Sequence, residues 1–167
     1  MKKLHLIRHA KSSWSDGSLS DIERPLKPRG VSDCELMAEP IWKAGCRFEP
    51  VFCSAAVRAQ STIEHLSYQL TEREITWKVD PALYTFEYRD LLDWVQRLDE
   101  ALAEVVIVGH NNGLTDFCNK VGDRPIENVP TCGYVQLAAD ITSWQDLSEN
   151  CATVLSFLKP KMFRLSA

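Results

Sequence analysis

Two arginines and two histidines of this chain stand where an α/β protein keeps its chemistry. Arg8-His9 closes the apolar run Leu4-His5-Leu6-Ile7. Arg58 follows Val51-Phe52-Cys53-Ser54, and Gly109-His110-Asn111 follows Val105-Val106-Ile107-Val108. Two guanidiniums can grip phosphate oxygens bidentately, and helix N-termini after Arg58 and His110 add backbone N–H donors. An imidazole among them suits nucleophilic attack. Its ordinary pKa is about 6.5, and neighbouring arginines favour the neutral form, whose nitrogen lone pair can attack phosphorus. These residue types point to transfer of a phosphoryl group to His9, followed by hydrolysis of the phosphohistidine.

Taken singly, each residue has a plainer explanation: His9 ends a strand, Arg58 is a helix residue and Gly109-His110 is a turn. The chemistry rests on their joint placement. His5, within a strand, and His65, within a helix, read as structural. No G-x-x-x-x-G-K-[ST] or G-x-G-x-x-G loop is present to bind a nucleotide, and no cluster of aspartates to hold Mg²⁺. Protein cations must then balance the phosphoryl charge, and neither a metal nor a cofactor is expected. The six cysteines (34, 46, 53, 118, 132 and 151) include no C-x-x-C pair and no zinc spacing, so they read as small apolar residues. Cys53 with Arg58 makes C-x4-R, one residue short of the C-x5-R loop of a cysteine phosphatase and without its glycines. That rival stays open at this level.

The elements that must position these groups follow from periodicity. Leu4–Ile7, 50–54, 75–79 and Val105–Val108 read as strands, the last buried on both faces because it is continuously β-branched. Tyr134–Ala138 and Ala152–Leu158 read as late strands. Helical spacing joins Cys34, Met37 and Ile41, with Pro40 expected to kink or divide that helix. It also joins Ala59, Ile63, Leu66 and Leu70; then Leu91, Val95, Leu98 and Leu102; then Leu114, Phe117 and Val121. Strands alternating with helices predict a single-domain, three-layer α/β/α sandwich with a mostly parallel central sheet over residues 1–167. Such a sheet collects ligands beyond the carboxyl ends of its strands, which brings Arg8, His9, Arg58 and His110 to one pocket.

The bulk composition sets the limits. The chain has 167 residues, 45% hydrophobic and 25% charged, with a net charge of −4. Nothing in that balance calls for nucleic acid or an anionic membrane as partner. No apolar stretch is long enough to span a bilayer, and Lys2-Lys3 precede too short an apolar run for a secretory signal. The expectation is a cytoplasmic monomer that meets a phosphorylated protein or a small phosphorylated substrate.

On these residues the chain resembles the histidine phosphatase superfamily, with its phosphoglycerate-mutase-like fold, and most closely the SixA-like phosphohistidine phosphatase branch. The Arg-His signature is Arg8-His9, continued as Ala10-Lys11-Ser12-Ser13-Trp14. Arg24-Pro25-Leu26-Lys27-Pro28-Arg29-Gly30 matches R-P-L-x-x-R-G. The stretch from Ser54 to Thr62 matches S-P-x-x-R-x-x-Q-T, with Ala55 in the Pro place and Ser61 in the Gln place. Gly109-His110-Asn111-Asn112-Gly113-Leu114 matches G-H-N-P-G-L, with Asn112 in the Pro place. Val129–Gly133 and Leu158-Lys159-Pro160 also look like the branch.

The resemblance implies that His9 is the phosphorylated nucleophile and that Arg8, Arg58 and His110 hold the phosphoryl group. Larger members supply a general acid from the region after the third strand. Here only 51 residues separate Arg58 from His110, which leaves little room for an inserted segment. Glu87 and Asp90 are the candidates, although an acidic residue at a helix start is also favoured by the helix dipole. A site without a placed acid suits leaving groups that need no proton, because a positioned acid is worth ~10²–10⁴-fold. Phosphohistidine and aryl phosphates are of that kind. A non-catalytic phosphate-recognition module and a sugar-phosphate phosphatase or mutase are the other readings.

Overall fold

The computed structural model describes residues 1–165. Strand β1 (Lys2–Arg8) leads through a polar loop to helix α1 (Pro28–Lys43); β2 (Val51–Ser54), α2 (Val57–Gln69) and β3 (Lys78–Asp80) follow. Then come α3 (Tyr88–Gln96), β4 (Glu104–Gly109), α4 (Gly113–Val121), β5 (Tyr134–Ala139) and β6 (Ala152–Leu158). The strands form one sheet in the order β3-β2-β4-β1-β5-β6. The pairs from β3 to β1 are parallel, whereas β5 runs antiparallel to both β1 and β6.

β4 explains the three layers. Successive strand side chains point to opposite faces, so Val105 and Ile107 join one core cluster while Val106 and Val108 join the other. The first cluster packs under α3 and α4 through Leu91, Val95, Leu114 and Phe117. The second packs under α1 and α2 through Cys34, Met37, Ile41, Ile63 and Leu66. All four valine and isoleucine side chains of β4 are buried, each contributing about 1.5–3 kcal/mol. The expected α/β/α sandwich is therefore what the chain builds.

Three expected elements differ in detail. Helix α1 is continuous to Lys43, with Pro40 in its last turn. There the proline forfeits only the bond to the Leu36 carbonyl, and its own carbonyl still accepts from the Ala44 N–H at 3.0 Å. Helix α3 ends at Gln96, before Leu98 and Leu102. Asp99 turns the chain by accepting from the Ala101 N–H at 2.9 Å, an alternative to the helical bond. The third strand is the short edge segment β3, and Ile75 and Trp77 pack on the core from the loop before it. Among the described residues, no helix is long and apolar enough to cross a membrane.

Candidate active site

The center of the sheet places the site. β1 lies between β4 and β5, so its carboxyl end is flanked by the end of β4 and, because β5 is antiparallel, by the loop that enters β5. His9 N–H donates to the Gly109 carbonyl at 3.0 Å, and Arg8 N–H to Gly133 at 3.0 Å. Cys132, with φ of 59°, turns its N–H onto the carbonyls of both Arg8 and His9. The Ala10 N–H donates to Thr62 Oγ1 at 2.8 Å, and that hydroxyl donates to the Arg58 carbonyl at 2.7 Å. One hydroxyl thus ties the segment carrying His9 to the helix carrying Arg58.

The four groups singled out in the sequence meet here. His9, Arg58 and His110 are 7%, 1% and 2% exposed, and the His9 and His110 ring centers are 5.1 Å apart. His9 Nδ1 is 2.7 Å from the Ala10 carbonyl. A carbonyl can only accept, so Nδ1 carries the proton and Nε2 keeps the lone pair. Burial, reinforced by the charges of Arg58, Arg8 and Arg24 and opposed by the bond to Ala10, lowers the His9 pKa to about 4. Burial, then His9 and Arg58, lowers that of His110 to about 3. Both rings are neutral at neutral pH. Burial lowers the Arg8 pKa too.

Three buried side-chain nitrogens have no hydrogen-bond partner among the described residues: Arg8 Nε, Arg58 Nε and His110 Nδ1. Buried donors are rarely left unpaired, since each costs about 1–3 kcal/mol. All three belong to the residues expected to hold phosphate, and the two guanidinium N–H groups are free to donate to an oxygen acceptor. Other nitrogens of Arg8 and His110 have partners. Arg8 Nη1 donates to the Val129 carbonyl at 2.9 Å, and His110 Nε2 lies 2.7 Å from Ser54 Oγ. Asn111 reaches across to Asn128 Oδ1 (2.8 Å) and the Val129 carbonyl (3.2 Å), fixing that loop beside the turn after β4.

Sequence reasoning missed Asp21, Tyr84 and Ser54. Arg58 donates through Nη1 to the Asp21 carbonyl (2.5 Å) and through Nη2 to its carboxylate (2.9 Å), and the Tyr84 hydroxyl donates to the same carboxylate (2.5 Å). Partial burial disfavors ionization of Asp21, but the hydrogen bonds from Tyr84 and Arg58 outweigh it and hold its pKa at about 2. Tyr84 and Phe86 set their ring edges against His110, with centers 5.4 and 5.3 Å away. The only hint in the sequence was that Asp21 precedes the Arg24-Pro25-Leu26 element. Arg24 itself is buried, bonded to Asp21 and Ser12 and stacked on Trp14.

Glu87 is exposed at the N-cap of α3, where its side chain makes no capping bond. With Thr85, Gly109 and His110 it borders a small crevice at the edge of the site. The Asp90 carboxylate accepts from the Thr85 hydroxyl at 2.7 Å. Cys53 lies fully buried in β2, and burial pushes its thiol up to about 12. No thiolate is available there, which removes the basis for a cysteine nucleophile.

A family model for the histidine phosphatase superfamily (branch 1) matches residues 4–105, more than half of the chain. The chain belongs to the histidine phosphatase superfamily. With that membership it is a phosphatase. An uncharacterized protein of Mycobacterium tuberculosis is 26% identical over 165 residues, 93% of this chain and all of that protein. In structure, the chain is similar to the protein histidine phosphatase SixA complexed with tungstate: TM-score 0.79, 19% identity, 97% of this chain and 99% of that one. Mycobacterial glucosyl-3-phosphoglycerate phosphatase is similar at TM-score 0.65 and 13% identity, covering 92% and 97%. These likenesses share the fold, and the phosphoglycerate-mutase-like architecture is common to them.

Proposed function

We infer that this phosphatase works through a phosphohistidine on His9 and acts on phosphohistidine or other phosphorylated protein side chains. The carrying observation is the trio of unpaired buried nitrogens around a neutral imidazole. His9 Nε2 attacks phosphorus as the bond to the leaving group breaks, and the leaving group departs with that electron pair. Arg8 Nε and Arg58 Nε donate to the equatorial oxygens. Ser54 Oγ accepts from the Ala56 N–H at 3.2 Å and lies 2.7 Å from His110 Nε2; with the hydroxyl donating to that nitrogen, His110 Nδ1–H is the third donor. Water then attacks phosphorus, the Nε2–P bond breaks, and phosphate leaves while the water proton passes to solvent.

No metal is needed for this path, because the arginines supply the positive charge. Among the described residues, no three His, Cys, Asp or Glu side chains converge as ligands. Substrate choice follows from the acid. Glu87, the candidate acid beside the crevice at His110, is exposed and makes no capping bond, which favors leaving groups such as imidazole or phenolate that depart without a delivered proton.

The test compares a phosphohistidine peptide, p-nitrophenyl phosphate and a sugar phosphate by kcat/KM, in wild type and His9→Ala. Phosphohistidine should lead, activity should vanish in His9→Ala, and quenched enzyme should carry acid-labile phosphate on His9. Turnover indifferent to His9 sinks the mechanism. Phosphate binding without turnover, in folded protein, would mean a recognition module.

A further inference from the structure

The geometry points to a second anion site beside the phosphoryl cradle, where an oxyanion group of the substrate other than the reacting phosphoryl is held. The inference rests on the phosphatase reading and extends it to substrate class. A cavity of about 410 Å³ is bordered by Lys11, Arg29, Lys159, Lys161 and Arg164, with Asp33 and Glu127 as its only carboxylates among the described residues. Five cations against two acids make a local +3, in a chain whose net charge is −4.

The pairing within this cavity is selective. Arg164 takes both oxygens of buried Asp33, at 3.0 and 2.9 Å, which anchors the C-terminal segment to α1. The other four cations have no carboxylate within 4.0 Å and no side-chain hydrogen bond among the described residues. Lys159 Nζ rests over the Phe157 ring, 4.9 Å from its center. Solvated lysines normally spread over a surface where acids offset them. Here four unpaired cations border one concavity, where an entering anion lowers their mutual repulsion.

The walls of this cavity belong to the segments that build the cradle. Lys11 stands two residues beyond His9, and its backbone packs against Gly30 in the first turn of α1. Thr131 precedes Cys132, whose N–H is bonded to the Arg8 and His9 carbonyls. Asn128 bonds to Asn111, the residue after His110. A substrate with its phosphoryl on His9 therefore extends naturally along Lys11 into the basic cavity. The matching chemistry is a second oxyanion: a carboxylate flanking the phosphorylated residue of a protein, or a second phosphate on a small molecule.

Two substrate pairs distinguish these sources: phosphohistidine peptides with acidic or neutral flanks, and small molecules with one or two phosphates. In one pair or the other, wild type should prefer the more anionic substrate about tenfold in kcat/KM at low salt, as several partly exposed ion pairs allow. The preference should shrink at 0.5 M salt as about a threefold shorter screening length than at 0.05 M intervenes. In a Lys159→Gln/Lys161→Gln variant, shown folded by its thermal transition, the ratio should fall below about threefold. The pair that responds names the source. Equal kcat/KM within both pairs, or a ratio unchanged by the double substitution, overturns the second site. His9-dependent turnover of p-nitrophenyl phosphate by wild type in the same assays would leave the phosphatase reading standing, so the two failures are separable.

Discussion

Lowering the pH from 7.5 to 5 should remove about 4 kcal/mol of folding stability through His9 and His110 together. In the folded protein burial holds their pKa values at about 4 and about 3, against about 6.5 in an unfolded chain. Both folded values are depressed, so between them and 6.5 the unfolded chain binds more protons. Stability is then fully present above the unfolded pKa and falls as the pH drops through this window. At pH 5 an unfolded imidazole is ~97% protonated and a folded one with pKa 4 only ~10%, which costs about 2 kcal/mol for each residue. His5 is buried with a lowered pKa as well, so wild type alone would mix three contributions. The measurement is urea denaturation at both pH values, for wild type and for His9→Gln/His110→Gln. The double substitution avoids apportioning energy between rings whose centers are 5.1 Å apart. Wild type should lose about 4 kcal/mol more than the variant. Equal losses would show that the two imidazoles titrate near their ordinary pKa in the folded state, and a nucleophile kept neutral by burial would be refuted.

Four further outcomes are expected. Ser54→Ala removes the hydroxyl that lies 2.7 Å from His110 Nε2, and steady-state kinetics should show kcat down about tenfold with KM little changed. Glu87→Gln should stay within about threefold of wild type on phosphohistidine peptide and p-nitrophenyl phosphate, because neither leaving group waits for a proton. A tenfold or greater loss on both would make Glu87 the acid. In Gly30→Ala the added Cβ would lie 2.3 Å from the Lys11 carbonyl oxygen, so thermal or chemical denaturation should show a loss of about 1–3 kcal/mol. Gly17→Ala, which meets open space, should stay within about 0.5 kcal/mol.

The fold was legible where one residue pattern had one solution. Val105–Val108 could only be a strand buried on both faces, and a strand so buried dictates layers on each side. Arg8, His9, Arg58 and His110 were legible because they are the polar residues at strand ends. Asp21 was not: its partner Arg58 is 37 positions away, and a carboxylate in a polar loop carries no periodicity. Ser54 read as the end of a strand, and nothing local shows that its hydroxyl faces an imidazole 56 positions on. The end of α3 was misjudged for a related reason. Leu98 and Leu102 keep the helical spacing and still reach the core, but from turns set by the Asp99 side chain.

The antiparallel run of β5 also sets one rim of the molecule away from the site. Ala139 pairs with Lys2 and Ala152, so the connection from 140 to 151 emerges at the edge of the sheet opposite His9. Thr142 is exposed there. A tether or dye attached at that position would orient the protein on a solid support with its mouth outward. Captured phosphoproteins could then be presented to every immobilized copy in the same direction.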